Sequence, residues 1–69
     1  MKIIHRKNIR RILNAQASDS MVVVKSIKYG LIWAGKVKFA FNHFRYEFFN
    51  MFPVSVKRDS TGALVIVLN

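Results

Sequence analysis

The side chains that could bind a metal ion or transfer protons are few in this sequence. The chain contains two histidines, three acids and no cysteine. His5 and His43 are 38 residues apart, so most ligands of a metal would have to come from scattered acids. A metal site usually needs three or four converging ligands. The sequence therefore predicts no metal site and no cofactor.

Residues for nucleophilic or acid–base catalysis are equally scarce. The acids are Asp19, Glu47 and Asp59; two fall in predicted turns and one opposite a lysine of a predicted strand pair. None of the five serines stands in a nucleophile-elbow or Ser-x-x-Lys pattern. The three glycines are isolated and do not form a phosphate-binding loop. We therefore expect a protein that is not an enzyme.

Cations are the chemically active residues that this chain has in excess. Twelve Lys and Arg stand against three acids, which gives a formal net charge of +9. Such an excess attracts polyanions and is the electrostatic footprint of nucleic-acid-binding domains. Each cation at a phosphate also releases counterions, so affinity falls steeply with salt. We expect a nucleic-acid-binding protein, for RNA or DNA, that contacts mainly phosphates.

The candidate phosphate contacts belong to two predicted elements. A helix from about residue 5 to residue 17 has an apolar stripe of Ile9, Ile12 and Leu13. Its other side carries Arg6, Lys7, Arg10 and Arg11, and the wet face of a predicted strand pair carries Lys36, Lys38 and Arg45.

Aromatic rings could add stacking on bases, the usual companion of a basic groove in single-strand binding. Trp33, Tyr29 and Phe49 are the candidates, because strand parity or a turn position brings them near the surface. Core packing is the alternative for all three rings.

Hydrophobic periodicity predicts the strands that carry several of these residues. Residues 21–28 form a β-branched run typical of a strand, and Tyr29-Gly30 follows as a turn. From Leu31 to Phe41 apolar and polar residues alternate, which predicts a second strand.

Residues 42–52 have two interpretations. If Asn42-His43 is a turn, the chain folds back as a strand; if Asn42 is an N-cap, residues 43–52 form a short second helix. The strand is favoured because aromatic residues are dense here.

The C-terminal segment predicts a β-hairpin. Residues 54–57 and 63–68 are the strands, joined by Asp59-Ser60-Thr61-Gly62, with Val54 facing Val67. The last strand is apolar on both faces and should be central or covered. The prediction for the whole chain is one α+β domain: an N-terminal amphipathic basic helix packed on a small antiparallel sheet of four to five strands.

Two short stretches resemble known nucleic-acid-binding families. Gly30, Gly35, Val37 and Phe41-Asn42-His43-Phe44 resemble the first motif of Sm-like proteins, which implies an RNA-binding ring subunit and a homo-oligomer. The match has one extra residue between Val37 and Phe41, and the second motif is not recognisable after Met51. Residues 35–39 also resemble the opening of cold-shock domains, whose glycine-aromatic second motif is missing.

A different class of partner fits the same charge. A small phage-type inhibitor or interaction protein could dock its basic face on an acidic host protein, and an amphipathic N-terminal helix could lie on anionic lipid.

The longest apolar run is residues 63–68, far below the roughly 20 residues that span a bilayer. Without cysteines or a transmembrane segment, the expected location is the cytoplasm.

Overall fold

The fold consists of one four-stranded sheet and three helices, and it confirms the predicted α+β class. The computed structural model of the chain describes residues 7–69. In chain order the elements are α1 (Ile9–Asn14), β1 (Met21–Ser26), β2 (Gly30–Lys36), α2 (Val37–His43), α3 (Tyr46–Phe49), β3 (Ser55–Arg58) and β4 (Leu64–Leu68).

The sheet has the strand order β2-β1-β4-β3 and mixed direction. β1 and β2 form one antiparallel hairpin, β3 and β4 form another, and the two hairpins join through the parallel pair β1–β4. The prediction of a purely antiparallel sheet is therefore wrong. Parallel neighbours need a long crossover connection, and here it contains β2, α2, α3 and β3.

The core lies between the helices and one face of the two central strands. The buried side chains of this face come from β1 and β4, and those of the helices come from α1, α2 and α3. They are Val22, Val24, Leu64, Ile66 and Leu68 on the strands and Ile9, Leu13, Val37, Ala40 and Phe49 on the helices. The opposite face carries Val23, Val65 and Val67 with Lys25 and Lys57, as their register requires.

Helix α1 is shorter than the sequence predicts. Asn8 is its N-cap, and the Asn8 Oδ1 accepts a hydrogen bond from the backbone N–H of Arg11 at 3.0 Å. The helix ends at Asn14, so residues 15–17 are not helical. The predicted start at residue 5 lies outside the described residues.

The predicted strand from Leu31 to Phe41 is wrong after Lys36, where α2 begins. The N–H groups of Val37 and Lys38 donate to the carbonyls of Ser20 and Ser18 at 2.9 and 3.0 Å. These bonds satisfy the first donors of the helix, which has no side-chain cap. A neighbouring loop thus provides the cap, and the local sequence gives no sign of it.

The favoured strand for residues 44–52 is also wrong, because α3 forms there. Its N-cap is Arg45 and not Asn42, and Phe44 has extended backbone between the two helices. The rings of Phe44 and Phe48 stack with centroids 3.8 Å apart, and Phe48 meets Phe49 edge-on at 5.3 Å. The dense aromatics are used to pack a helical corner.

The predicted C-terminal hairpin is confirmed, and β4 is a central strand as expected. Its register differs by one residue, since Ser55 and not Val54 is opposite Val67. The Asp59 carboxylate organises the turn: it accepts from the Thr61 N–H at 2.9 Å, the Thr61 hydroxyl at 2.6 Å and the Ala63 N–H at 3.0 Å.

Trp33 lies flat over its own strand because residue 35 is glycine. A Cβ on Gly35 would come within 2.8 Å of two ring carbons of Trp33. The indole is held on its other sides by His43, stacked at 5.5 Å, and by the edge of Phe44 at 5.6 Å. An added methyl group therefore has to push the ring out of this packing.

We expect Gly35→Ala to displace the Trp33 ring and to lower the free energy of unfolding by about 1 kcal/mol, as overpacking does. The emission of Trp33, the single tryptophan, should shift to longer wavelength as the ring gains solvent. Ala34→Ser, at an exposed neighbouring position, is the control and should leave the spectrum unchanged. An unshifted spectrum in Gly35→Ala would contradict the packing.

Candidate nucleic-acid interface

Most cations of the described residues have no carboxylate partner. Of the twelve Lys and Arg, Lys2 and Arg6 lie outside the described residues. Among the others only Lys36 and Lys38 form ion pairs, and both contact the same carboxylate of Asp19, with Nζ–Oδ1 distances of 3.8 and 2.9 Å. The remaining eight cations of residues 7–69 keep their charge uncompensated by direct contacts.

The exposed side of α1 and the residues before it carry three of these cations. Lys7, Arg10 and Arg11 are exposed, whereas Ile9 and Leu13 are buried against the sheet. Burial of the apolar side chains is what turns the cations outward. Arg6, a fourth predicted contact, lies outside the described residues.

Arg10 lies over an aromatic ring of α3. Its guanidinium carbon is 5.4 Å from the centroid of the Tyr46 ring, and Tyr46 is 67% exposed. The first residue of α1 is hydrogen-bonded to the segment that follows α3, since the Ile9 N–H donates to the Met51 carbonyl at 2.9 Å. A cation therefore lies over one face of a ring that is otherwise largely exposed at the surface.

Arg45 is the N-cap of α3, directly precedes Tyr46 in the sequence and is also exposed. We call the set Lys7, Arg10, Arg11, Arg45 and Tyr46 the basic helical surface. Glu47 is the acid next to it in sequence, and it has no ion pair within residues 7–69. The surface therefore combines four cations with one exposed ring.

The predicted wet strand face does not form. Lys36 ends β2, Lys38 lies in the first turn of α2 and Arg45 is the N-cap of α3, so the three residues belong to different elements. Asp19 also holds Lys36 and Lys38. The cause is the formation of α2 and α3, which removes the strand pair on which the prediction depended.

The three rings predicted for stacking differ in their exposure to solvent. Phe49 is 6% exposed and packs face to face on Phe41, so its ring is not accessible for stacking and the prediction for this residue is wrong. Trp33 is half-buried between its own strand and His43. Tyr29 is 82% exposed in the β1–β2 turn. Tyr46, the ring beside Arg10, is not among the three predicted rings, because its contact with α1 depends on the helical fold of its segment.

Within residues 7–69 no group of three or more His, Cys, Asp and Glu side chains is arranged to hold a metal ion. No helix in this part of the chain has the length and apolar character needed to cross a membrane.

Comparison with known proteins finds no relative, since no protein-family model, curated protein or solved structure matches this chain.

The resemblance to Sm-like proteins is not supported by the backbone. The residues that carry it run from Gly30 to Phe44, and Val37–His43 within them are helical and not part of a strand pair. The spacing of glycines and aromatics therefore reflects a strand followed directly by a helix.

The double ion pair at Asp19 predicts a pH effect. The hydrogen bond and charge of Lys38, and then the charge of Lys36, lower the pKa of Asp19 from its usual 3.8. Because the folded-state pKa is the lower one, the stabilisation is present above pH 3.8 and is lost as the pH falls through the folded-state pKa.

We expect Lys38→Met to raise the pKa of Asp19 toward its usual value, measured by NMR titration of the side-chain carboxyl carbon. Thr61→Val is the matched control, because the Thr61 hydroxyl is the main cause of the lowered pKa of Asp59. It should raise the pKa of Asp59 and leave that of Asp19 unchanged. An Asp19 pKa that does not move in Lys38→Met would contradict the ion pair.

Proposed function

We propose that this protein binds nucleic acid through the basic helical surface, without sequence specificity and without catalysis. The observation that carries the proposal is the Arg10–Tyr46 pair, an exposed ring beside a cation on a surface with three further cations. Phosphate contacts supply most of the affinity in such complexes, and rings add stacking on unpaired bases.

The chemistry of the surface favours a single strand of RNA or DNA over a duplex. Lys7, Arg10, Arg11 and Arg45 offer charge to phosphates, which are present in every nucleic acid. Tyr46 offers a ring face, which only an unstacked base can use. In a duplex the bases are stacked on each other, so the ring would contribute little there.

An acidic protein is the alternative partner for the same cations. Salt would weaken binding of such a protein too, because it screens the attraction between opposite charges, so salt dependence alone does not separate the two partners. The contribution of the Tyr46 ring to binding of a free oligonucleotide separates the two partners, because stacking on the ring requires a base. The two experiments below therefore test charge and ring separately.

The first experiment reverses charge on α1. We expect Arg10→Glu with Arg11→Glu to weaken binding of single-stranded RNA and to reduce the slope of log affinity against log salt by about 0.7 for each lost contact. Fluorescence anisotropy of a labelled oligonucleotide over a salt series measures both quantities.

The matched control is Lys25→Glu with Lys57→Glu, which changes the net charge equally on the helix-free face of the sheet. It should leave the salt slope close to that of the unmodified chain. If both double variants lose binding to the same extent, the net charge of the protein acts without a defined surface, and the proposed site is wrong.

The second experiment removes the ring. Tyr46→Ala should weaken binding of single-stranded RNA by about 1–3 kcal/mol, the usual contribution of stacking on one base. Tyr46→Phe keeps the ring and should retain affinity, and neither variant should change binding of duplex DNA. Equal affinities of Tyr46→Ala and Tyr46→Phe for the single strand would exclude stacking on Tyr46.

A further inference from the structure

The tip of the β1–β2 hairpin exposes large apolar side chains to an unusual extent. Ile27 is 63%, Tyr29 82% and Leu31 64% exposed, and Ile32 next to them is also exposed. Scattered exposed apolar residues are normal, but a contiguous group marks an interaction site. These four residues fall within six positions of the sequence.

The tip is held in a defined conformation. The Ser26 hydroxyl is buried and accepts from the N–H groups of Lys28 and Tyr29 at 3.1 and 3.2 Å. Gly30 has a φ of 75°, a backbone conformation that residues other than glycine rarely adopt. The hydrogen bonds and the glycine therefore fix the turn that presents the apolar residues.

One more exposed apolar residue, Val54, lies at the same end of the sheet. The Ile27 N–H donates to the Leu68 carbonyl at 2.9 Å, and the Val54 N–H donates to the neighbouring Val67 carbonyl at 2.8 Å. Val54 is exposed and lies about two strand spacings, about 10 Å, from β1. We call Ile27, Tyr29, Leu31, Ile32 and Val54 the apolar rim.

Cations stand directly beside the rim. Lys28 lies in the turn itself, and Lys25 is the β1 partner of Leu31. Both are exposed, and no acid of residues 7–69 pairs with them. A second copy of the chain is a poor occupant of the rim, because it would bring the same cations and another net charge of +9.

The shape of the rim favours a fluid occupant. Leu31 points to the helix-free face with Lys25, whereas Ile27 and Tyr29 belong to the turn beyond the strands. A flat protein surface would cover one side of such a tip. Acyl chains can surround it, while a tyrosine and flanking lysines sit at the level of the headgroups.

From the rim, its fixed turn and its cations we infer that this end of the sheet inserts shallowly into a bilayer that contains anionic lipid. The apolar side chains enter the boundary between headgroups and acyl chains, and Lys25 and Lys28 contact lipid phosphates. The rim shares no residue with the basic helical surface, so membrane binding does not rest on the proposed nucleic-acid binding.

The test compares two double variants of the full chain by co-sedimentation with vesicles. Tyr29→Ser with Leu31→Ser removes apolar side chains from the rim. Met21→Ser with Phe39→Ser removes two exposed apolar side chains at the other end of the sheet, near the start of β1 and α2. The vesicles contain phosphatidylcholine alone or phosphatidylcholine mixed with phosphatidylglycerol.

We expect the rim variant to bind the mixed vesicles at least about tenfold more weakly and the control variant to bind within about twofold of the unmodified chain. Vesicles of phosphatidylcholine alone should bind least. If the two variants bind mixed vesicles equally, charge alone attracts the chain and the inference is wrong. Binding of single-stranded RNA should be unchanged in both variants, so the failure of one proposal is distinguishable from that of the other.

A second measurement reports insertion in the otherwise unmodified chain. The protein has no cysteine, so Ile27→Cys and Met21→Cys each accept a single fluorescent label. Spin-labelled acyl chains should quench the label at position 27 and not that at position 21. Equal quenching, or none at position 27 while the protein is vesicle-bound, would overturn the inference.

Discussion

The parallel pairing of β1 with β4 is the interaction on which the rest of the fold depends. Val22 lies beside Leu64 and Val24 beside Ile66, and these four side chains are buried under the helices. Burying one aliphatic side chain of this size contributes about 1.5–3 kcal/mol. In a chain of 69 residues, which can bury only a modest fraction of its surface, the core on these two strands outweighs most local preferences.

The same pairing explains why helices occupy residues 37–43 and 46–49. Two strands that run in the same direction need a connection that returns the chain along the sheet. The connection leaves β2 at Lys36, and the carbonyls of Ser18 and Ser20 are already placed to receive the first N–H groups of α2. The alternation of Val37, Phe39 and Phe41 fits a strand locally, but the chain instead buries Val37 and Ala40 three residues apart on one helix face.

Charge is the second constraint. A net charge of +9 repels itself in a folded chain, and within residues 7–69 only Asp19 relieves it through direct ion pairs, with Lys36 and Lys38. The remaining cations are spread over the helices, the turn and the helix-free face. This distribution leaves the cations of the basic helical surface beside the exposed Tyr46 ring, and it leaves Lys25 and Lys28 beside the apolar rim. A polyanionic partner would lower the repulsion at either surface.

Properties that depend on residue type and on near neighbours could be predicted from the sequence. Composition determined the excess of cations and the scarcity of catalytic groups, and local pattern indicated the first strand and the hairpin around Asp59. The first strand ends at Ser26 and not at residue 28, and the turn predicted at Tyr29-Gly30 covers residues 27–29, so that Gly30 begins β2. Tertiary structure decided which side chains meet. Arg10 and Tyr46 are 36 positions apart, and their contact depends on how α3 follows α2 across the sheet. Periodicity reports which face of an element is buried, but long-range pairing decides whether that element is a strand or a helix, and therefore which cations share a surface.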